Sequence, residues 1–157
     1  MELTRLCPDT CFEMAFDIHP AETRDLATLE ANRWALAAPR EVAGTPAAYR
    51  KYIARSKAEF MVPKQMYVDS NSGLLSDRSA YYLASGRPVL AQDTGLTNLY
   101  PTGCGLLTFK TLDEAVEGVR QINADYDRHA AAARQIAGEY FDSDKVLRQL
   151  LTELGIG

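Results

Sequence analysis

Histidine, cysteine and tryptophan are scarce, at two, three and one among 157 residues. His19 and His129 stand far apart, so no Ser-His-Asp or Cys-His set can be assembled and no cluster has metal-ligand spacing. Each histidine reads as structural or solvated, and no metal is expected. Cys7, Cys11 and Cys104 are an odd set without a CxxC pair, which argues against a disulfide framework. They read as reduced, buried thiols of a cytoplasmic protein, with Cys7 and Cys11 spaced to share a helical face. Nowhere do about 18 apolar residues run together, and the N-terminus has no apolar stretch behind Glu2 and Arg5. Neither a membrane span nor a signal peptide is expected. Internal repeats and low-complexity linkers are also missing, so residues 1–157 read as a single α/β domain.

Basic charge is in deficit. Seventeen Lys and Arg against 21 Asp and Glu leave a net charge of −4, which lowers the prospect of a nucleic-acid or anionic-membrane partner. The deficit is uneven: residues 50–64 hold five bases (Arg50, Lys51, Arg55, Lys57, Lys64) and one acid, Glu59. This basic stretch leads into a glycine-rich, nearly neutral centre, a pattern that suits a small anionic ligand or a solvated helix face.

What remains is a readable series of elements. Residues 1–40 form a lead-in with a helix over Asp25–Asn32 and a short strand over Arg33–Leu36. Thr45-Pro46 opens a helix with a hydroxyl cap and a proline in its first turn. Ala58–Val62 and Tyr67-Val68 are β-prone runs, and Ala80, Leu83 and Ala84 fall at helical spacing. Arg87–Gln92 and Gly105–Phe109 read as strands bounded by glycine and Asp93-Thr-Gly95. Residues 111–157 are helical. Thr111-Leu-Asp-Glu114 is a capping box, a second helix runs from about Asp127 to Tyr140, and a third runs from Asp144 with Val146, Leu147, Leu150, Leu151 and Leu154 up to Gly155. The βα alternation predicts a parallel sheet flanked by helices, with ligands at the carboxyl ends of its strands.

That edge carries the chemistry. Ser76-Asp-Arg-Ser79 opens a helix, where free N–H groups attract anions and Arg78 offers a forked donor, although an ordinary N-cap with an exposed arginine reads the same way. Gln92-Asp-Thr-Gly95 places amide, carboxylate and hydroxyl where sugar hydroxyls bond, or forms a polar turn. Pro101-Thr-Gly-Cys-Gly105 lacks the spacing and lysine of a phosphate-cradling loop. Asp113-Glu114 and Asp125/Asp127 lie at helix ends, where dipole and capping account for them.

Over Ser76-Asp-Arg-Ser-Ala-Tyr-Tyr-Leu-Ala-Ser-Gly-Arg-Pro-Val-Leu-Ala-Gln-Asp-Thr-Gly95 the chain resembles the C-terminal half of GT-B glycosyltransferases. More narrowly it is similar to a bacterial glycosyltransferase group whose matching stretch reads Gly-Trp-Phe-Ser-Asp-Arg-Ser. The resemblance extends over Tyr49–Lys64 upstream and over Gly105–Phe109, Asp113–Ala115, Arg128-His129, Ala133-Arg134 and Phe141-Asp142 downstream, roughly residues 30–155. It implies a Rossmann-like half that binds a nucleotide-sugar donor, with the acceptor held by an N-terminal domain that this sequence lacks. Gly73, Ser76, Asp77, Arg78 and Ser79 would then meet donor phosphate or ribose. Gln92, Asp93, Thr94 and Gly95 would meet sugar and diphosphate, and Lys64 is a further phosphate candidate.

The nucleotide-diphosphate sugar is a substrate, and no cofactor is implied. Leu74-Leu75 replace the group's Trp-Phe, which removes the aromatic stacking pair. Tyr81 stands near the second acid of the paired-glutamate motif, so neither retention nor inversion follows. No catalytic residue is assigned, and the chain is expected to be inactive without an acceptor half. The alternative is a non-catalytic module that keeps the fold and binds a nucleotide or a protein; a flavodoxin-like domain would need an early acid cluster or phosphate loop that is missing here.

Overall fold

The computed structural model describes residues 2–156, which gather into two compact units, Met1–Arg55 and Ser56–Gly157. In the first unit, helix α1 (Leu3–Leu6) precedes strand β1 (Phe12–Ala15), helix α2 (Thr23–Ala31), strand β2 (Trp34–Ala37) and helices α3 (Pro39–Ala43) and α4 (Pro46–Arg55). β1 and β2 pair in parallel, Phe12 opposite Trp34, with the two rings 5.5 Å apart. Residues Arg33–Leu36 and Thr45-Pro46 behave as their sequence suggests. Thr45 Oγ1 accepts from the Ala48 N–H at 3.1 Å, while Arg33 takes a left-handed φ of 59° between α2 and β2. β1 has no counterpart in the sequence reading, because only Phe12 of its four residues is buried and no apolar run marks it. α1 ends at Leu6, so Cys7 and Cys11 share no helical face. Cys7 is buried, Cys11 is exposed and Cys104 half-buried, which restricts the buried-thiol reading to Cys7.

The second unit holds strands β3 (Glu59–Met61), β4 (Val89–Gln92) and β5 (Leu106–Phe109), all parallel in the order β3-β4-β5. Between β3 and β4 lie helices α5 (Gln65–Asp69) and α6 (Asp77–Ala84); after β5 come α7 (Leu112–Ala124), α8 (Tyr126–Tyr140) and α9 (Ser143–Glu153). Val89 to Ala91 and Leu106-Leu107 are buried, as expected of a parallel sheet covered on both faces. Strand alternation sorts the cover: Met61 meets Ser79 of α6 on one face, and Leu90 meets Gly118 of α7 on the other. Leu83, Val89 and Leu106 have no exposed surface, and each buried side chain of this size contributes about 1.5–3 kcal/mol.

At the amino end of the sheet, Gly105 (φ 77°) lets β5 begin against α8, for a Cβ there would lie 2.4 Å from the Ala133 nitrogen. Its N–H donates to His129 Nδ1 at 3.3 Å. The Thr111–Glu114 capping box forms as the sequence predicts, with reciprocal bonds across the first turn of α7.

One expectation about the elements gives way. Tyr67-Val68 lies in a helix rather than a strand, since Gln65 Nε2 donates to Asp69 Oδ1 at 2.8 Å and Ser70 Oγ to the Met66 carbonyl at 2.7 Å, closing a turn that two β-prone residues cannot oppose. The apolar stripe of α9 lies open: Val146, Leu147, Leu150, Leu151 and Leu154 are 46–62% exposed. Among the described residues, no helix is long and apolar enough to cross a membrane.

Candidate functional site

β4 leaves the sheet at Gln92 and enters Asp93-Thr-Gly95. The Asp93 N–H donates to the Phe109 carbonyl at 2.8 Å, extending the ladder with β5 by one residue. Asp93 is buried, and its Oδ1 accepts from the N–H groups of Gly95 and Leu96, both at 2.9 Å. One carboxylate oxygen thus closes the turn that leads into the short 3-10 segment Leu96–Asn98, and the other faces Lys110 Nζ at 3.4 Å.

The loop before α6 is fastened to this turn. Gly73 N–H donates to the Thr94 carbonyl at 2.7 Å, and Thr94 Oγ1 donates to the Leu74 carbonyl at 2.8 Å. Gly95 has φ 96°, and a Cβ on it would lie 3.2 Å from the Asn71 carbonyl oxygen, so glycine permits the close approach of the two loops. Two segments separated by a helix and a strand in sequence are one structural feature at the carboxyl end of β4.

α6 begins three residues past Leu74. Ser76 is its N-cap, with Oγ accepting from the Arg78 N–H at 3.3 Å; Asp77 Oδ1 accepts from the same N–H at 2.8 Å. Ser79 is fully buried and its Oγ lies 3.5 Å from Met61 Sδ, so it anchors α6 on β3. Arg78 turns to the sheet, its Nε donating to Oε1 of Glu59, the first residue of β3. Glu59 is 4% exposed in its side chain against 49% for Arg78, and Glu59 Oε2 has no hydrogen-bond partner. Lys64 stands exposed at the N-cap of α5, three residues past β3, and Gln92 is half-buried.

The structure therefore joins Gly73, Thr94 and Gly95 directly, with Asp93 inside the same turn and Ser76-Asp77-Arg78 at the adjoining helix start. Ser79 and Thr94 are closed in by packing. Lys110 belongs to this edge, and Glu59, the first residue of β3, is tied to it through Arg78; neither was among the residues read from sequence. For Glu59 the signal was its place as the one acid in the basic stretch 50–64, next to a strand; for Lys110 it was its position immediately after the last residue of β5.

The opposite end of the sheet is built differently. Arg87 Nη1 donates to Tyr126 Oη at 2.7 Å, Tyr126 Oη donates to the Lys57 carbonyl at 3.0 Å, and Lys57 Nζ donates to Asn123 Oδ1 at 2.5 Å. His129 is buried there, and burial holds its imidazole below its ordinary value, reinforced by Arg128 and partly opposed by Asp125. This end ties α7 and α8 to the sheet and reads as structural. In the first unit, a cavity of about 350 Å³ past β1 is lined by residues that include Met14, Asp17, His19, Glu22 and Leu29. Among the described residues, no group of three or more His, Cys, Asp or Glu is placed to hold a metal ion.

A family model described as glycosyl transferase-like matches residues 14–152. No curated protein and no solved structure matches the chain.

Proposed function

The chain belongs to the glycosyl transferase-like family, and from that premise we propose that its Ser56–Gly157 unit binds a nucleotide-sugar donor at the carboxyl edge of the β3-β4-β5 sheet, as the donor-binding half of a GT-B, Rossmann-like glycosyltransferase. The observation that carries this reading is the joining of Gly73-Leu74 to Thr94-Gly95 beside the capped start of α6. In open parallel sheets ligands settle outside the carboxyl ends of the strands, and here that position has tight glycine turns and a helix N-terminus.

The roles divide by what is already engaged. Asp93 holds its own turn with one oxygen and Lys110 with the other, so it frames the site. Gln92 supplies an amide for sugar or ribose hydroxyls, and Ser76 and Asp77, which cap α6 through the Arg78 N–H, have acceptor capacity left for the same hydroxyls. Lys64 supplies positive charge. Breaking the bond between sugar and diphosphate builds negative charge on the leaving group, which cations and a helix N-terminus stabilise without reorganising. Sugar transfer then requires an acceptor facing this edge, which an acceptor-binding half would bring.

One observation favours the second reading, a module that binds without turnover: Asp93, the buried carboxylate at the edge, holds its own turn through Oδ1 and faces a lysine through Oδ2, which makes it a framing group rather than a general base. Calorimetric titration with uridine-, thymidine-, guanosine- and adenosine-diphosphate sugars tests the donor reading. Saturable binding of one class is the expected result, and no binding of any of them at millimolar concentration contradicts it. Turnover of the bound donor, with or without an added acceptor half, separates the enzyme from the module.

A further inference from the structure

We infer that Lys110 is the cation that meets the donor's diphosphate, an inference that rests on the donor-binding reading of this edge. The cations of the Ser56–Gly157 unit sort by position: Arg120, Arg128, Arg134 and Arg148 lie within helices α7, α8 and α9. Lys57 and Arg87 serve the amino end through Asn123 and Tyr126. Lys145 donates to the Gly138 carbonyl at 2.6 Å. Arg78 starts at the right helix but turns its Nε to Glu59, whose buried carboxylate depends on that charge. Lys64 and Lys110 remain on the segments that leave the carboxyl ends of β3 and β5, and of these only Lys110 has a fixed relation to the loop that forms the site.

That relation is specific. Lys110 follows β5 directly, and its Nζ lies 3.4 Å from Asp93 Oδ2 while the side chain is 73% exposed. Asp93 is held in place by two backbone N–H groups, so it presents Oδ2 as a fixed post for the flexible lysine stem. An ammonium has three donors, and contact with Asp93 uses one of them. Unlike Glu59, the buried Asp93 carboxylate is already held by two backbone N–H groups, and the 73% exposed lysine meets it at 3.4 Å from the solvent side, so the ammonium stays available to phosphate oxygens arriving over the Asp93–Gly95 turn. The neighbouring start of α7 offers no substitute. Glu114 fills it, its Oε2 accepting from the N–H groups of Lys110 at 2.6 Å and Thr111 at 3.3 Å. At this corner of the sheet an anion relies on the lysine side chain.

The test is titration of the full chain and of Lys110→Gln with UDP and with uridine, or with the nucleotide pair of whichever diphosphate sugar binds. The inference predicts that Lys110→Gln loses about tenfold or more in diphosphate affinity while nucleoside affinity is unchanged, and that Lys110→Arg restores most of the loss. Amide resonances of Asp93–Leu96 that stay in place in Lys110→Gln show that the turn survives, so the loss belongs to the missing charge. Wild-type diphosphate affinity in Lys110→Gln overturns the inference and leaves the donor reading standing. Failure of every nucleoside diphosphate to bind the wild-type chain overturns both.

Discussion

Arg78 and Glu59 form a lopsided ion pair: the guanidinium Nε of the half-exposed arginine at the start of α6 donates to a carboxylate buried at the start of β3. The arginine that sequence alone offers to a phosphate is the counter-charge of a buried glutamate. Its removal and the removal of its partner therefore have different consequences.

Arg78→Ala leaves Glu59 charged, buried and uncompensated, and is expected to cost about 2–3 kcal/mol, toward the low end for a broken buried pair because Arg78 is itself half-exposed. Glu59→Gln removes the buried charge and is expected to cost clearly less. Urea unfolding of the two variants checks the order, and equal or reversed costs contradict it.

The His129 imidazole must be neutral to accept the Gly105 N–H through Nδ1. Burial lowers its folded-state pKa, whereas in the unfolded chain it titrates near its ordinary value of about 6.5. The unfolded state therefore takes up the proton first, and stability falls as pH drops below about 6.5 toward the lowered folded value. Urea midpoints measured from about pH 7.5 down to about pH 5.5 should decline in the wild type and much less in His129→Gln. A flat wild-type profile over that range contradicts this placement.

Gly105 and Gly103 both have positive φ, at 77° and 95°, but only Gly105 meets the backbone of α8. Gly105→Ala forces β5 and α8 apart and is expected to cost more than about 3 kcal/mol, against about 1 kcal/mol of backbone strain for Gly103→Ala, whose Cβ would meet nothing within 4 Å. Comparable thermal midpoints for the two variants count against the close approach.

The exposed stripe of α9 makes Leu150→Gln nearly neutral, within about 0.5 kcal/mol, while Leu107→Ala in β5 should cost about 2–5 kcal/mol. Denaturant unfolding of both variants measures the contrast. A large loss from Leu150→Gln means that this face is covered in solution.

How much of this was legible follows from where the information lies. Strands β4 and β5 and helix α7 are written locally, as buried apolar runs between glycines and as a capping box, and they form with nearly the expected bounds. β1 is four residues with one buried, and its pairing with β2 is a contact between distant segments, so no local pattern marks it. Tyr67-Val68 shows the reverse, a β-prone pair overruled by its neighbours' hydrogen bonds.

At the candidate site, the segments Gly73–Ser79 and Gln92–Gly95 were readable from their glycines, hydroxyls and cap signals. Their direct joining through Thr94 was not, because it is a matter of tertiary distance. The same holds for Arg78, whose chemistry suits phosphate equally well until Glu59 is placed beside it, and for Lys110, a lone lysine until Asp93 is seen 3.4 Å away.

A nucleotide-sugar donor seated at the carboxyl edge of the β3-β4-β5 sheet should be visible in amide chemical-shift mapping with a nucleoside diphosphate. Saturable shifts concentrated at Gly73–Ser79, Gln92–Gly95 and Lys110 are the predicted result. No shifts at millimolar ligand, or shifts concentrated at the amino end around His129 and Tyr126, would contradict it.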